Sequence, residues 1–178
     1  MLALADLGPR IMICGPSNAG KSSLAAAIGQ KLGLEIVHLD RFRFLPNSDW
    51  QQRSDADFQT LHDAAIVGER WVIDGNYTKL VPQPLARATG IALVSDNRWA
   101  NYRRYLWRTL FQKHRVGNLE GAQDSLKWDM AHWILVRSPQ ALIGYRQRLP
   151  AAGLPFIEAR SMREVRGLYR EWGLLPPR

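Results

Sequence analysis

The chain has 178 residues, of which 46% are hydrophobic and 22% charged, which is typical of one globular domain with a substantial core. The longest stretch without Asp, Glu, Lys or Arg, Ile11 to Gly20, is too short to span a bilayer, and Met1 to Pro9 does not resemble a secretion signal. The single cysteine, Cys14, excludes an intramolecular disulfide and fits a reducing compartment, so we expect a cytoplasmic protein. Because no stretch could span a bilayer, we expect no membrane partner.

The net charge is +8, from 24 Lys and Arg against 16 Asp and Glu. This excess indicates an anionic partner, because guanidinium groups hold phosphates in a fork geometry. Charge alone does not decide between a nucleic acid and the phosphates of a nucleotide.

The first predicted elements are a strand over 10–14 and a helix over about 21–32. The residues between them fit G-x-x-x-x-G-K-[ST], the P-loop pattern, at every fixed position. In this setting loop amides and the helix N-terminus bind a triphosphate such as ATP. Lys21 would reach the β- and γ-phosphates and Ser22 would hold Mg²⁺. The predicted nucleotide-binding residues here are Gly15, Ser17, Asn18, Ala19, Gly20, Lys21, Ser22 and Ser23. The alternative is a glycine-containing turn that binds nothing.

Four more strands are predicted over 35–39, 71–73, 91–94 and 154–159. Helices are predicted over the ranges 55–68, 98–112 and 123–137, and a last one capped by Ser161 reaches about Trp172. Two stretches are predicted to be irregular, residues 41–52 and the segment around Pro82 and Pro84. Ser138 is predicted to be the N-cap of a new helix with Pro139 at its first position.

Strands that alternate with helices predict an α/β fold, a parallel sheet with helices on both faces. In such sheets ligands bind at the carboxyl ends of the strands. We therefore expect the residues that come just after the predicted strands to meet at one edge of the sheet. These residues are Gly15, Asp40, Asp74, Ser95, Asp96 and Arg160.

Two of these residues are candidates for phosphoryl-transfer chemistry. Asp74 could hold a water of a Mg²⁺ shell opposite Ser22, and the alternative is a cap of the turn it begins. Asp40 could orient an acceptor hydroxyl and take its proton. Its alternative is a solvated residue or a salt bridge to Arg41 or Arg43.

Arginines recur at spacings of four and seven in the region that begins with the 98–112 helix, at Arg104, Arg108 and Arg115. Because arginines stabilise charge on a transferring phosphoryl group, Arg104 and Arg108 are candidates for a catalytic role. The alternative is a solvated basic face.

For the tryptophan and histidine side chains we expect structural rather than functional roles. Four tryptophans in predicted helices are expected to pack between helices rather than stack on nucleic-acid bases: Trp99, Trp107, Trp128 and Trp133. The four histidines are scattered, so no catalytic or metal-binding role is expected for them.

Three further stretches carry a family resemblance: His38 to Asp40, Trp71 to Tyr77, and Arg160 to Val165. With the P-loop, they resemble the adenylate kinase-related P-loop proteins called DNA topology modulation (FlaR-like) proteins, within the small P-loop kinases. The resemblance implies a P-loop NTPase fold of three α/β/α layers and a five-stranded parallel sheet in the order 2-3-1-4-5. It also implies an arginine-bearing lid over about 98–122 and a place for Arg160 near the nucleotide base.

The chain departs from the well-known kinases at the acceptor side. Asn76-Tyr77-Thr78 replaces the Pro-Arg ending that nucleoside monophosphate kinases carry after this strand, and Arg41-Phe42 follows Asp40 where shikimate kinases have a second acid. The leading hypothesis is an ATP- and Mg²⁺-dependent phosphotransferase acting on a nucleotide or another small hydroxyl compound. The alternatives are a nucleic-acid-associated NTPase, a nucleotide-dependent binding module, and a nucleotide-binding protein without catalysis. The acceptor, the base preference and the oligomeric state stay open.

Overall fold

The computed structural model describes residues 2–48, 50–75, 77, 79–111 and 126–177. Its strands are β1 (Arg10–Cys14), β2 (Glu35–His38), β3 (Trp71–Asp74), β4 (Gly90–Val94) and β5 (Phe156–Ala159). Its α-helices are α1 (Lys21–Leu32), α2 (Leu39–Arg43), α3 (Asp55–Ile66), α4 (Pro82–Arg87), α5 (Arg98–Phe111), α6 (Trp128–His132), α7 (Ser138–Arg148) and α8 (Met162–Glu171). A π-helical segment, Trp133–Arg137, joins α6 to α7, and short 3₁₀ turns span Leu4–Leu7 and Pro150–Ala152.

The five strands form one parallel sheet in the order β2-β3-β1-β4-β5, which confirms the predicted fold class and strand order. Asp74, the last residue of β3, lies in register with Ile13 of β1 and with His38 of β2. All pairings are parallel, so the loops that follow the strands meet at one edge of the sheet.

The core lies on both faces of the sheet because successive side chains of a strand point to opposite sides. Ile11 and Ile13 of β1 belong to an apolar cluster with residues of α1 and α8. Met12 and Cys14 belong to a second cluster with residues of α3 and α7. The helices therefore form two layers around the sheet, as the sequence predicted.

Three local predictions are wrong. Residues 41–43 are not loop, because α2 begins directly after β2 and carries Asp40 in its first turn. The segment with Pro82 and Pro84 forms α4, since both prolines lie in the first turn of the helix, where backbone N–H groups have no partner within the helix. A new α-helix does begin at Ser138, but Ser138 is not its N-cap, because the backbone from Trp128 to Arg148 stays helical through the π segment and Ser138 is buried.

The prediction that four tryptophans pack between helices is also wrong. Trp99 and Trp107 on α5 are 60% exposed, Trp128 is 83% exposed and Trp133 is 44% exposed. On α5 the buried residue is Asn101, and the tryptophans lie on other arcs of the helix. The described helices include none with the length and apolar character of a membrane span.

Candidate active site

The loop between β1 and α1 lies at the centre of the carboxyl edge. Gly15 has a φ of 142°, and a Cβ on it would lie 1.8 Å from the carbonyl oxygen of Val94 in β4, so only glycine fits there. Asn18 and Gly20 adopt left-handed φ angles of 62° and 91°, and Gly20 is the N-cap of α1. The chain thereby turns tightly, and the first amides of α1 lie at the edge of the sheet, an arrangement suited to anions.

The structure brings the eight predicted nucleotide-binding residues together in this turn. Five of them precede α1, and the other three, Lys21, Ser22 and Ser23, form its first turn. Ala19 is fully buried, whereas Ser17, Asn18 and the residues of the first helical turn are partly exposed. Their binding of a nucleotide stays a prediction.

Lys21 lies across the loop that precedes it. Its Nζ donates a hydrogen bond to the carbonyl oxygen of Pro16 at 3.0 Å. Burial lowers the pKa of Lys21, while the charges of Asp74 and Asp40 act to raise it and Arg108 acts to lower it. The ammonium group is thus held near two carboxylates and one guanidinium of the candidate site.

Ser22, Asp74 and His38 form a hydrogen-bonded chain from α1 to β2. The Ser22 hydroxyl donates to Asp74 Oδ2 at 2.6 Å, and His38 Nδ1 lies 2.5 Å from Asp74 Oδ1. The His38 and Asp74 side chains are only 7% and 6% exposed. Ser22 and Asp74, which the sequence predicted on opposite sides of a metal ion, are in direct contact here, and their role at a metal ion stays a prediction.

Ser22 and Asp74 supply hard oxygen donors, which fit Mg²⁺. The described residues hold no group of three or more His, Cys, Asp and Glu side chains that could enclose a metal ion. Mg²⁺ usually takes one or two protein oxygens and completes its shell with phosphates and water. The donor set at Ser22 and Asp74 therefore fits an ion that arrives with a nucleotide.

Asp40 lies at the exposed mouth of the same region. The Tyr77 hydroxyl donates to Asp40 Oδ1 at 2.6 Å, and the Tyr77 ring contacts the ring of Phe58 edge-on, with centroids 4.7 Å apart. Burial, and after it the charge of Asp40, raises the pKa of Tyr77, so the phenol stays a donor at neutral pH. Arg43, one suggested partner of Asp40, pairs instead with Asp55.

A small, mostly apolar pocket lies beside Asp40 and Tyr77. Its lining comes from β1, the start of α2, α3, the end of β3 and the segment up to Pro84. His62 of α3 lines it and is fully buried. Its Nδ1 lies 2.8 Å from Asp63 Oδ1, whereas its Nε2 has no hydrogen-bond partner in the part of the chain that the structure describes.

The predicted arginines of α5 contact the β1–α1 loop. Arg104 Nε donates to the carbonyl oxygen of Asn18 at 2.8 Å, and its NH1 pairs with Asp96 Oδ2 at 2.8 Å. Arg108 NH1 donates to Asn18 Oδ1 at 2.6 Å. Arg115 and the part of the predicted lid that follows α5, residues 112–122, lie outside the described residues.

Arg160 follows β5, as predicted, at the same edge. Its guanidinium is 68% exposed and lies 3.0 Å from Glu158. Met162 starts α8 and lies beside the loop, since a Cβ built on Gly20 would be 3.6 Å from Met162 Cε. The turn with Arg160 therefore flanks the loop, and contact of Arg160 with a base stays a prediction.

Sequence reasoning missed two residues of this site, His38 and Tyr77. The available signal for His38 was its place at the end of β2, because the ends of neighbouring parallel strands lie side by side. For Tyr77 the signal was weaker, since its hydroxyl meets Asp40 across 37 positions of sequence.

Comparisons with known proteins add a fold-level likeness. No protein-family model and no curated protein matches the chain. A solved structure described as a "putative kinase" from Chloroflexus aurantiacus J-10-fl is similar, with a TM-score of 0.53 and 14% sequence identity. The match covers 90% of this chain and 96% of the other. At this identity the likeness is one of fold, and the chain shares the α/β fold of that protein.

Proposed function

We propose that the protein is an ATP-dependent phosphotransferase that uses Mg²⁺ and acts on a nucleotide or another small hydroxyl compound. The observation that carries the proposal is the contact of Ser22 with Asp74. Ser22 lies in the first turn of α1 together with Lys21. A hydroxyl, a carboxylate and an ammonium group at a helix N-terminus are what the phosphates of a nucleotide and a magnesium ion require. The kinase-like fold of the solved neighbour supports the same class of activity.

In this proposal the residues of the loop bind and hold the phosphates. Loop amides and Lys21 bind the β- and γ-phosphates, and Ser22 with Asp74 would hold the metal. Bound Mg²⁺ would neutralise charge on the phosphate oxygens. Arg104 and Arg108, which contact the loop through Asn18, would stabilise the transferring phosphoryl group. Arg160 would lie beside the base.

The acceptor side is assigned to Asp40 and Tyr77. The acceptor oxygen attacks the γ-phosphorus, the bond from that phosphorus to the β,γ-bridging oxygen breaks, and Asp40 takes the proton of the hydroxyl. Tyr77 fixes one oxygen of that carboxylate. Membership of the FlaR-like group is part of this proposal.

The test is ADP release from ATP and Mg²⁺ with a panel of nucleoside, nucleotide, sugar and hydroxy-acid acceptors. We expect one acceptor to raise turnover well above hydrolysis by water, and we expect Lys21→Ala and Asp40→Asn to abolish that gain. Asp57→Asn is the matched control for the aspartate, because Asp57 lies in the first turn of α3, where its carboxylate accepts a hydrogen bond from the N-cap residue Ser54. If ATP is bound but no acceptor changes turnover, Asp40 has no catalytic role and the transferase assignment fails.

A second candidate is a nucleic-acid-associated NTPase, and the exposed face of α5 favours it. Arg98 lies over the ring of Trp99 at 5.6 Å, and the rings of Trp107 and Phe111 lie 4.4 Å apart. Exposed aromatic rings with cations are the chemistry that stacks on bases. Binding of single-stranded and duplex DNA that weakens steeply with salt, and that Trp107→Ala reduces, would support this candidate. Binding that neither salt nor the substitution changes would exclude it.

A further inference from the structure

We infer that His38 is a positioning residue for the magnesium site: its Nδ1–H holds the Asp74 carboxylate so that Ser22 presents its lone pairs to the metal. The inference rests on the proposed function, because it concerns how the same site binds Mg²⁺ with a nucleotide. It adds a residue for which the sequence indicated no role in metal binding.

The sheet itself brings the two side chains together. His38 and Asp74 end neighbouring parallel strands and are paired in register. Paired residues of adjacent strands point to the same side of a sheet, so the imidazole and the carboxylate meet without any loop between them. The resulting separation of His38 Nδ1 and Asp74 Oδ1 is 2.5 Å, and both side chains are buried.

The donors and acceptors of this chain can be assigned from chemistry. An ionised carboxylate only accepts hydrogen bonds, so Nδ1 of His38 carries the proton in this contact. The other oxygen of Asp74 accepts from the Ser22 hydroxyl. Both carboxylate oxygens are therefore held by protein donors from opposite sides, one from β2 and one from α1.

This arrangement determines where the Ser22 hydroxyl directs its proton and its lone pairs. A hydroxyl has one proton and two lone pairs. Its proton is committed to Asp74, so the lone pairs remain for a cation at the mouth of the loop. If Asp74 rotated, the direction of that proton and of the lone pairs would change with it. His38 blocks this rotation, as partners of metal-binding side chains commonly do.

A purely structural role for His38 would have a different consequence. A buried carboxylate that loses one donor is destabilised in the folded state, so removal of His38 would lower stability but would leave the dependence on Mg²⁺ unchanged. The two roles are separated by measuring nucleotide binding with and without the metal.

The experiment compares wild type, His38→Phe and His38→Asn. Asn keeps an N–H donor at the place of Nδ1, whereas Phe keeps the ring shape without a donor. His132→Phe is the matched control, because His132 is exposed on α6. Titration calorimetry of the whole chain gives ATP affinity in EDTA and over a series of Mg²⁺ concentrations, and thermal unfolding verifies that each variant is folded.

We expect His38→Phe to need about tenfold more Mg²⁺ for half-maximal ATP binding, with affinity in EDTA close to that of wild type. His38→Asn and His132→Phe should keep the wild-type Mg²⁺ dependence. The inference is overturned if folded His38→Phe keeps the wild-type Mg²⁺ requirement, if it loses as much affinity in EDTA as with Mg²⁺, or if His38→Asn is equally impaired. A wild-type chain that binds no ATP under any condition would overturn the proposed function itself.

Discussion

At the residue scale, the charge of Lys21 has opposite effects on stability and on the proposed binding of phosphates. Its pKa is lowered chiefly by burial, which means that the charged form costs free energy in the folded state. If the only role of the lysine were to stabilise the loop, its neighbours would instead favour the charged form and raise its pKa. The cost is consistent with a charge kept for a ligand that is absent during folding.

Replacement of Lys21 by Met tests whether the buried charge lowers the stability of the folded protein. The folded-state pKa lies below the ordinary value of 10.5, so the unfolded chain binds more protons between those two pKa values, and wild-type stability rises with pH in that window. We expect Lys21→Met to be at least as stable as wild type at pH 7, with its advantage shrinking as the pH approaches 10. Thermal unfolding across this range measures it.

The same variant should also bind ATP more weakly than wild type, because it lacks the ammonium group that would contact the phosphates. A Lys21→Met chain that unfolds at a clearly lower temperature than wild type at pH 7 would show that the lysine stabilises the fold, and the argument from burial would be wrong.

At the scale of elements, α1 lies close against the sheet because of a glycine in its middle. A Cβ on Gly29 would lie 2.3 Å from Ile36 Cγ1 and 3.2 Å from Val72 Cγ1. These are the side chains of β2 and β3, the strands that carry His38 and Asp74. The close approach of the helix therefore helps to set the distance between Ser22 and Asp74.

Glycine-to-alanine substitutions in two helices should have opposite effects. Gly29→Ala forces α1 from the sheet and should destabilise the protein by about 1–3 kcal/mol, the range for overpacking. Gly167→Ala, in α8 where nothing lies within 4 Å of the added Cβ, should stabilise by about 0.5–1 kcal/mol. Urea unfolding measures both, and a stabilising Gly29→Ala would contradict the packing described here.

The contacts of α5 with the loop lead to a second prediction at this scale. Arg104 touches Asn18 and Asp96, whereas its neighbour Arg103 is exposed. With an acceptor that supports turnover, Arg104→Ala should lower kcat by about a hundredfold, as for the loss of a group that stabilises the transition state. Arg103→Ala should leave kcat near the wild-type value. Equal effects of the two substitutions would assign Arg104 to a general basic surface.

The elements also show what a sequence can and cannot predict. Ser54 and Ser161 cap α3 and α8 as predicted, since a cap is a contact between residues three apart. The prolines of α4 were misinterpreted because proline breaks a helix interior but fits its first turn. The tryptophans of α5 were misplaced because an amphipathic pattern does not identify which arc of the helix is covered.

At the scale of the whole molecule, the parallel sheet and its shared edge were predictable because they follow from the alternation of strands and helices. The strand order was implied only by the resemblance to the small P-loop kinases. The contacts within the site were only partly predictable. The P-loop pattern and the acid at the end of β3 indicate that Ser22 and Asp74 lie near each other, whereas the contacts of Asp74 with His38 and of Asp40 with Tyr77 join residues 36 and 37 positions apart. They depend on sheet register and on how α2 follows β2, which no local pattern encodes.

The central claim is that the β1–α1 loop binds the phosphates of ATP through Lys21, and one titration tests it directly. Calorimetric binding of ATP with Mg²⁺ is measured for wild type, Lys21→Ala and Lys31→Ala, the last being a control at the far end of α1, where Nζ contacts the carbonyl oxygen of Gly173. We predict that Lys21→Ala binds about 10- to 100-fold more weakly than wild type, the loss of a hydrogen bond between charged groups, and that Lys31→Ala binds like wild type. A Lys21→Ala chain that binds ATP as tightly as wild type would contradict the account.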